Sequence, residues 1–158
     1  MKLVADESKW KVNANRTPSR MISREKDVAM YKQKGTYLEQ HLVEPTVAPY
    51  WSQVLMAPKP QTDLNTAAIP VEKKYRFCVD QRNFNKATES TGGHIPNIKL
   101  MIQWIGLKQP KYFCKINLST GFFQAPLAKD SRHYTLFTST RGHYQFLRVP
   151  MGCKNSSV

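Results

Sequence analysis

YFCKINLSTGFFQAPL, residues 112–127, is the stretch from which the fold is read. Phe113, Ile116 and Leu118 are apolar with high strand propensity, Lys115 stands between them, and no proline interrupts before Pro126. The pattern predicts a buried strand over Phe113–Leu118. Ser119-Thr120-Gly121 then predicts a turn, with Gly121 free to take a positive φ. The aromatic pair Phe122-Phe123 opens the next element.

Working outward, Gly92 to Pro96 reads as a turn, and Ile98, Met101, Ile102 and Ile105 make a helical stripe up to Gly106, expected to pack into a core. Tyr75 to Asp80 alternates, with Tyr75, Phe77 and Val79 on one face and Arg76, Cys78 and Asp80 on the other. Gln53–Ala57 is a short strand among prolines, which suit an edge or a strand end. Gln61–Lys74 is polar and aperiodic. Ser23 is a candidate N-cap, with Glu25 and Asp27 in the first turn. Val28, Tyr31, Leu38 and Leu42 then form one helical stripe on which Gly35 also falls, and Pro45 closes it. Residues 1–20 are polar and mixed in charge, which predicts an extended or disordered lead-in; Trp10 has no evident docking place. Downstream, His133 to Val149 reads as a hairpin turning at Thr140-Arg141-Gly142.

The chain has 158 residues, enough for one domain with a core, and carries 24 Lys and Arg against 11 Asp and Glu, a formal charge of +13. Residues 1–40 hold 9 basic and 5 acidic side chains and residues 41–158 hold 15 and 6, so the excess belongs to a folded surface and not to a tail. A polyanion partner, nucleic acid first, is expected. Cys78, Cys114 and Cys153 are widely spaced, which predicts free thiols in a reducing, intracellular compartment. With His41, His94, His133 and His143 they make no recognised metal spacing. The charged opening around Asp6, Glu7 and Lys9 predicts no secretory leader, and no apolar run approaches a membrane span.

KINLSTGFFQAPL, residues 115–127, resembles the first palm motif of reverse transcriptases of gypsy-like long-terminal-repeat retrotransposons, usually Lys-(Leu/Ile)-Asp-Leu-x-x-Gly-(Tyr/Phe)-x-Gln. It matches at Lys115, Ile116, Leu118, Gly121, Phe122 and Gln124, but Asn117 stands where the family has its catalytic aspartate. YRFCVDQRNFNKAT, residues 75–88, is similar to a fingers motif of the same family at Arg76, Cys78, Val79, Asp80, Arg82, Asn85, Lys86 and Thr88. Pro49, Tyr50, Ser52, Val54 and Lys59 resemble its first fingers strand. Phe137, Thr138, Gly142, His143, Tyr144, Phe146, Pro150, Gly152 and Asn155 resemble its last fingers stretch, with Met151 in place of a common Phe.

The resemblance runs from about residue 23 to 158. It implies an α+β fold: reverse-transcriptase-like fingers over about 21–88 and 124–158, with an incomplete palm over about 89–123. The fingers sheet would join Gln53–Ala57, Tyr75–Asp80 and the 134–149 hairpin. It implies an RNA-directed DNA polymerase as the parent activity, with RNA or DNA template-primer as partner and the rest of a Pol polyprotein as a further one. By the resemblance Arg76 reaches the nucleotide triphosphate and Phe122 is the steric gate against a ribose 2′-hydroxyl. Lys59, Arg82, Asn85 and Lys86 would meet nucleic acid. The parent family uses Mg²⁺ held by carboxylates in a two-metal mechanism. Asn117 is not a carboxylate, the family's acidic pair falls beyond residue 158, and Asp130 is the one acid after residue 90. No metal is therefore expected in this chain, and the chain alone is expected to be inactive. A non-catalytic basic RNA- or DNA-binding module of retroelement origin is the alternative, and an open reading frame with no stable product is a third.

Overall fold

The computed structural model describes residues 6–60, 69–93 and 96–156. Its centre is one mixed sheet. The strands are β1 (Val43–Pro45), β2 (Ser52–Pro58), β3 (Tyr75–Val79), β4 (Phe137–Ser139) and β5 (Gly142–Phe146), in the spatial order β1-β5-β4-β2-β3. The expected fingers strands thus join one sheet. β2 runs antiparallel to β3, with Ala57 opposite Arg76, and parallel to β4, with Ser52 opposite Phe137. β2 is therefore an interior strand and not an edge. Its prolines are tolerated because they fall at or beyond its ends, where Pro58 closes the register opposite Tyr75. Ser139 pairs with Gly142 around the two-residue loop Thr140-Arg141, and Gly142 takes a φ of 117°, which favours glycine there. The hairpin is shorter than expected: Lys129–Thr135 is a 3₁₀ segment, so Tyr134 precedes the strand.

Helix α2 (Arg24–Glu39) lies over the sheet. Ser23 caps it as expected, its Oγ accepting from the Lys26 amide at 3.4 Å. The expected stripe holds at its C-terminal end, where Leu38 packs against the core and Leu42 is buried, and fails at its start. Ala29, Met30 and Lys34 are buried, whereas Val28 and Tyr31 are exposed. Lysine is a poor guess for an apolar face, yet Lys34 buries its stem and donates to the Tyr144 hydroxyl at 2.8 Å. Gly35 is held inside the helix. Beneath α2, Tyr37 meets Phe77 and Phe123 edge-on at 5.4 and 5.5 Å, and Phe137 meets Phe77 and Phe146 at 5.4 and 5.2 Å.

A second aromatic group corrects the reading of the lead-in. Residues 6–20 are not disordered: helix α1 (Glu7–Trp10) packs on helix α4 (Arg82–Ala87), and a 3₁₀ turn at Asn13–Arg16 is bonded to α4 through Asn15 and Asn83. Trp10 is buried edge-on against Phe84 at 6.0 Å, and Phe84 meets Tyr134 at 6.2 Å. Buried Asn15 donates to the Trp10 carbonyl, accepts from Asn83 at 2.9 Å, and its carbonyl accepts from the Trp51 amide at 2.7 Å. Polar composition conceals these two anchors. Of the 61–74 loop, residues 61–68 lie outside the described residues, and Val71–Lys74 forms a helical turn, α3. The Gly92–Pro96 turn falls partly outside them as well.

Two further expectations fail together. Helix α5 (Ile98–Lys108) forms, capped by Asn97, whose side chain accepts from the Lys99 and Leu100 amides. It packs into no core, for Ile98, Ile102, Trp104 and Leu107 are all exposed. Phe113–Leu118 is no strand: it carries no ladder, and Phe113, Ile116 and Leu118 are exposed. Its propensity is right, but a strand exists only when a neighbour pairs its backbone, and no described strand lies beside it. At the following turn Thr120, not Gly121, takes the positive φ, at 50°.

Candidate functional site

The turn after residue 118 separates the two phenylalanines. Helix α6 (Gly121–Gln124) points Phe123 into the aromatic core, stacked on Phe146 at 6.1 Å. Phe122 lies outside that core, half-buried. It lines an open cleft of about 690 Å³ together with Asn117, Gly121, Ala125, Met151 and Ser156. Asn117 and Phe122, singled out at one sequence motif, thus share one cavity wall. The lining contains a carboxamide, a thioether and hydroxyls but no carboxylate. Among the described residues no three His, Cys, Asp or Glu side chains gather as a metal site.

Arg76 does not line this cleft. It is exposed on β3, on the face it shares with Cys78. Lys59 is exposed just past the end of β2, its amide donating to the Lys74 carbonyl at 2.9 Å. The β2–β3 hairpin therefore carries Lys59 and Arg76 together.

Arg82, Asn85 and Lys86 sit on α4, and each has a different occupation. Arg82 forks onto Asp80, Nε to Oδ1 at 2.8 Å and Nη2 to Oδ2 at 2.6 Å. Its guanidinium, with Arg20 further off at 3.5 Å, holds the Asp80 carboxyl below the usual carboxylate range. Asn85 is turned inward to the chain: it donates to the Gly152 carbonyl and accepts from the Lys154 amide, both at 2.8 Å. Asn155 and Lys154 continue the clamp onto the Glu89 and Thr88 carbonyls at 2.8 and 2.9 Å. Asn85 therefore ties α4 to the 152–155 loop. Lys86 lines a second, polar cleft of about 350 Å³ with Arg20, Ser52, Gln53, Asp80 and Arg82.

Arg20 and Ser52 were not legible as site residues. Arg20 lies in the supposed lead-in, and Ser52 was visible only as one match to the family's first fingers strand. Met151 was visible only as a departure from a pattern, yet it lines the first cleft.

Comparison with known proteins gives a consistent picture. The family described as "Reverse transcriptase (RNA-dependent DNA polymerase)" matches residues 57–158. The chain is similar to the "Retrovirus-related Pol polyprotein from transposon 412" of Drosophila melanogaster, 33% identical over 120 residues, covering 74% of this chain and 9% of that protein. It is 32% identical over 130 residues to the polyprotein from transposon 297 of the same fly, covering 82% and 12%. The chain thus spans about a tenth of the length of the curated relatives it matches. Among solved structures, the foamy viral protease-reverse transcriptase in complex with RNA/DNA hybrid superposes with a TM-score of 0.66 at 20% identity, over 92% of this chain and 18% of that one. That likeness bears on the fold, which is α+β and reverse-transcriptase-like.

Proposed function

The chain belongs to the reverse transcriptase (RNA-dependent DNA polymerase) family, and from that premise we propose that it is the fingers with the first palm segment of a retrotransposon polymerase. On this reading it grips a template-primer and leaves nucleotidyl transfer to a longer polypeptide. The observation that carries it is the pairing of Asn117 with Phe122 on one cleft beside a stretch, 98–118, whose large apolar side chains lie bare. The remainder of a Pol polyprotein is the partner proposed to cover that stretch and to supply an edge for Phe113–Leu118.

Two-metal transfer needs hard oxygen ligands, including carboxylates. The cleft at Asn117 offers a neutral carboxamide, and the residues present do not fit Mg²⁺. No step through a metal is assigned to this chain. Its own residues act by position: Phe122 walls the cleft, and Lys59 and Arg76 offer cations from the β2–β3 hairpin. The solved relatives were captured with double-stranded DNA or an RNA/DNA hybrid. The +13 charge supports a nucleic-acid partner here independently. The module reading draws on the same charge and has no separate observation behind it.

The test is binding of a labelled RNA–DNA template-primer across a salt series. Affinity should fall steeply with salt, and replacing Lys59, Arg76 and Arg82 together should lower the log–log slope by about 2 to 3. An affinity indifferent to salt would refute the electrostatic account.

A further inference from the structure

We propose that helix α5 is a membrane-surface anchor, which lies in the plane of an anionic bilayer with the lysines around it beside the lipid headgroups. The inference goes beyond the polymerase-fragment reading and does not rest on it. Lipid and a downstream polypeptide would take the same face, so each excludes the other. Lys99, Gln103 and Gly106 recur at i, i+4 and i+7, which sets them on one narrow stripe of α5. The rest of the helix surface is apolar, and Ile98, Ile102, Trp104 and Leu107 are 63–82% exposed. A helix is the form that an apolar segment can keep in lipid, because its backbone bonds are internal. Asn97 and the Gln109 amide close the two ends of α5. With 11 residues it is about 16 Å long, too short to cross a bilayer. Among the described residues no helix is long and apolar enough to do so. The fitting geometry is therefore a helix lying flat, its polar stripe towards water and its apolar arc in the acyl boundary.

Charge decides what covers this face. Between residues 97 and 118 the chain has Lys99, Lys108, Lys111 and Lys115, all exposed, and no acid. A second copy would set the patch against itself, because a two-fold interface joins identical surfaces, and every charge brought together there would have one sign. An anionic lipid surface has the opposite sign, and each lysine near it adds about fivefold to the affinity. A nucleic acid shares that sign but has no aliphatic interior for Ile102 and Leu107. Trp104 and Tyr112 suit the boundary between acyl chains and headgroups, where a ring with one polar end is at home. Phe113–Leu118 has an unpaired backbone, so it belongs at the hydrated headgroup level and not deeper.

The 158-residue chain is mixed with vesicles of phosphatidylcholine and phosphatidylserine, about three parts to one, and with vesicles of phosphatidylcholine alone. Binding is read by co-sedimentation and by iodoacetamide labelling of Cys114. The chain should sediment with the anionic vesicles, which should also slow the labelling of Cys114. Ile102→Gln with Trp104→Gln removes no charge and should weaken vesicle binding by ~100-fold, through the lost transfer of two large apolar side chains. Lys108→Gln, Lys111→Gln and Lys115→Gln together should weaken it by ~100-fold as well, about fivefold for each lysine. Both variants should keep the urea midpoint of the parent, since all five side chains are exposed. Equal vesicle binding by the parent and the Ile102→Gln/Trp104→Gln chain would leave only adsorption of a +13 protein and overturn the anchor. Equal binding to the two kinds of vesicle would overturn the anionic assignment. A dimer in sedimentation equilibrium, with Cys114 protected in the absence of lipid, would give the face to a second copy. Failure to bind vesicles, with salt-sensitive binding of template-primer intact, would sink the anchor and leave the polymerase-fragment reading standing. Vesicle binding without template-primer binding would do the reverse.

Discussion

Phe137 and Ile102 both stand in apolar runs of the chain, yet Phe137 is 0% exposed and Ile102 is 63% exposed. The first belongs to a strand held between two others and packed against rings from β3 and β5. The second belongs to a helix whose backbone needs no neighbour. Asn97 satisfies the first amides of α5, and the Gln109 amide closes on the Ile105 carbonyl at 3.1 Å. Helix α5 thus closes its own backbone bonds without a core, and as an isolated helix of 11 residues it is marginal in water. Phe113–Leu118 has no such self-sufficiency, because strand hydrogen bonds come from another strand. An apolar pattern states what a segment can bury; what buries it is decided elsewhere. The sealed half has its partner within residues 6–156, and the bare half has none among the described residues.

The sharpest way to break the contrast is a pair of substitutions. Phe137→Ala should cost about 3–5 kcal/mol, through lost transfer energy and a cavity among Phe77, Tyr144 and Phe146. Ile102→Ala should lie within about 0.5 kcal/mol of the parent, since its side chain touches mainly water. Urea midpoints measure both. Equal losses would mean that α5 is packed in solution after all.

The lead-in sits on the sealed side of the contrast, and Asn15 tests that. Asn15→Ala leaves the Trp10 carbonyl without its side-chain donor and the Asn83 amide without its acceptor. Leaving buried polar groups unmade costs about 1–3 kcal/mol. The loss should appear in the urea midpoint of the whole domain and as faster amide exchange at Trp51, which donates to the Asn15 carbonyl. Unchanged exchange at Trp51 would detach residues 6–16 from the fold.

Two of the three thiols give a smaller readout. Cys114 lies exposed in the bare stretch and Cys153 is buried in the sealed half. Burial pushes the Cys153 thiol up to about 12. At pH 8 it is therefore ionised in only about one molecule in ten thousand, and the thiolate is the reactive form. Iodoacetamide should modify Cys114 first and Cys153 only after denaturant is added, at pH 7 and at pH 9 alike. The sign for stability follows. The folded state keeps the Cys153 proton above pH 9 while the unfolded chain releases it, so this group's contribution declines as pH rises from about 9 towards 12.

The legible parts of the molecule were those whose signal is local. The Ser23 cap, the Tyr75/Phe77/Val79 alternation and the Thr140-Arg141-Gly142 turn each depend on a few adjacent residues, and each is present. What depended on distant residues was hidden. Val28 and Tyr31 looked like the core face of α2, but Tyr31 lies out in solvent under the Arg141 guanidinium, 4.2 Å from its ring centroid. Trp10 could not announce Phe84, some 70 positions away in the sequence. The same holds for the sites. Asn117 and Phe122 are five residues apart and were readable as one motif. Arg20, Ser52 and Lys86 become neighbours only because Gln53 ties the lead-in to β2. The folding of Gly152 and Lys154 back onto Asn85 was hidden in the same way.

The smallest effect is expected where the bare half meets the cleft. Asn117→Asp should change stability by less than about 0.5 kcal/mol, because the side chain is exposed and the two residues share a shape. It should also fail to create polymerase activity in this chain. The substitution returns one carboxylate to a cleft whose other lining groups are amide, hydroxyl, thioether and ring, whereas two dications need a shared set of hard oxygen ligands. One carboxylate favours weak binding of a single ion. Primer extension on an RNA template decides this with four proteins: the chain, its Asn117→Asp form, and each of these fused to a downstream palm segment carrying an acidic pair. Only the fused Asn117→Asp protein should extend. In that protein the bare stretch gains its cover and the cleft its missing ligands in one step, so Cys114 should become protected from iodoacetamide as activity appears. Extension by either unfused protein would show that the site is already sufficient. Robust extension by the fused protein that keeps Asn117 would show that a carboxylate at this position is dispensable. Activity without protection of Cys114 would separate the chemistry from the covering of residues 98–118, and the contrast between the two halves would then have no bearing on catalysis.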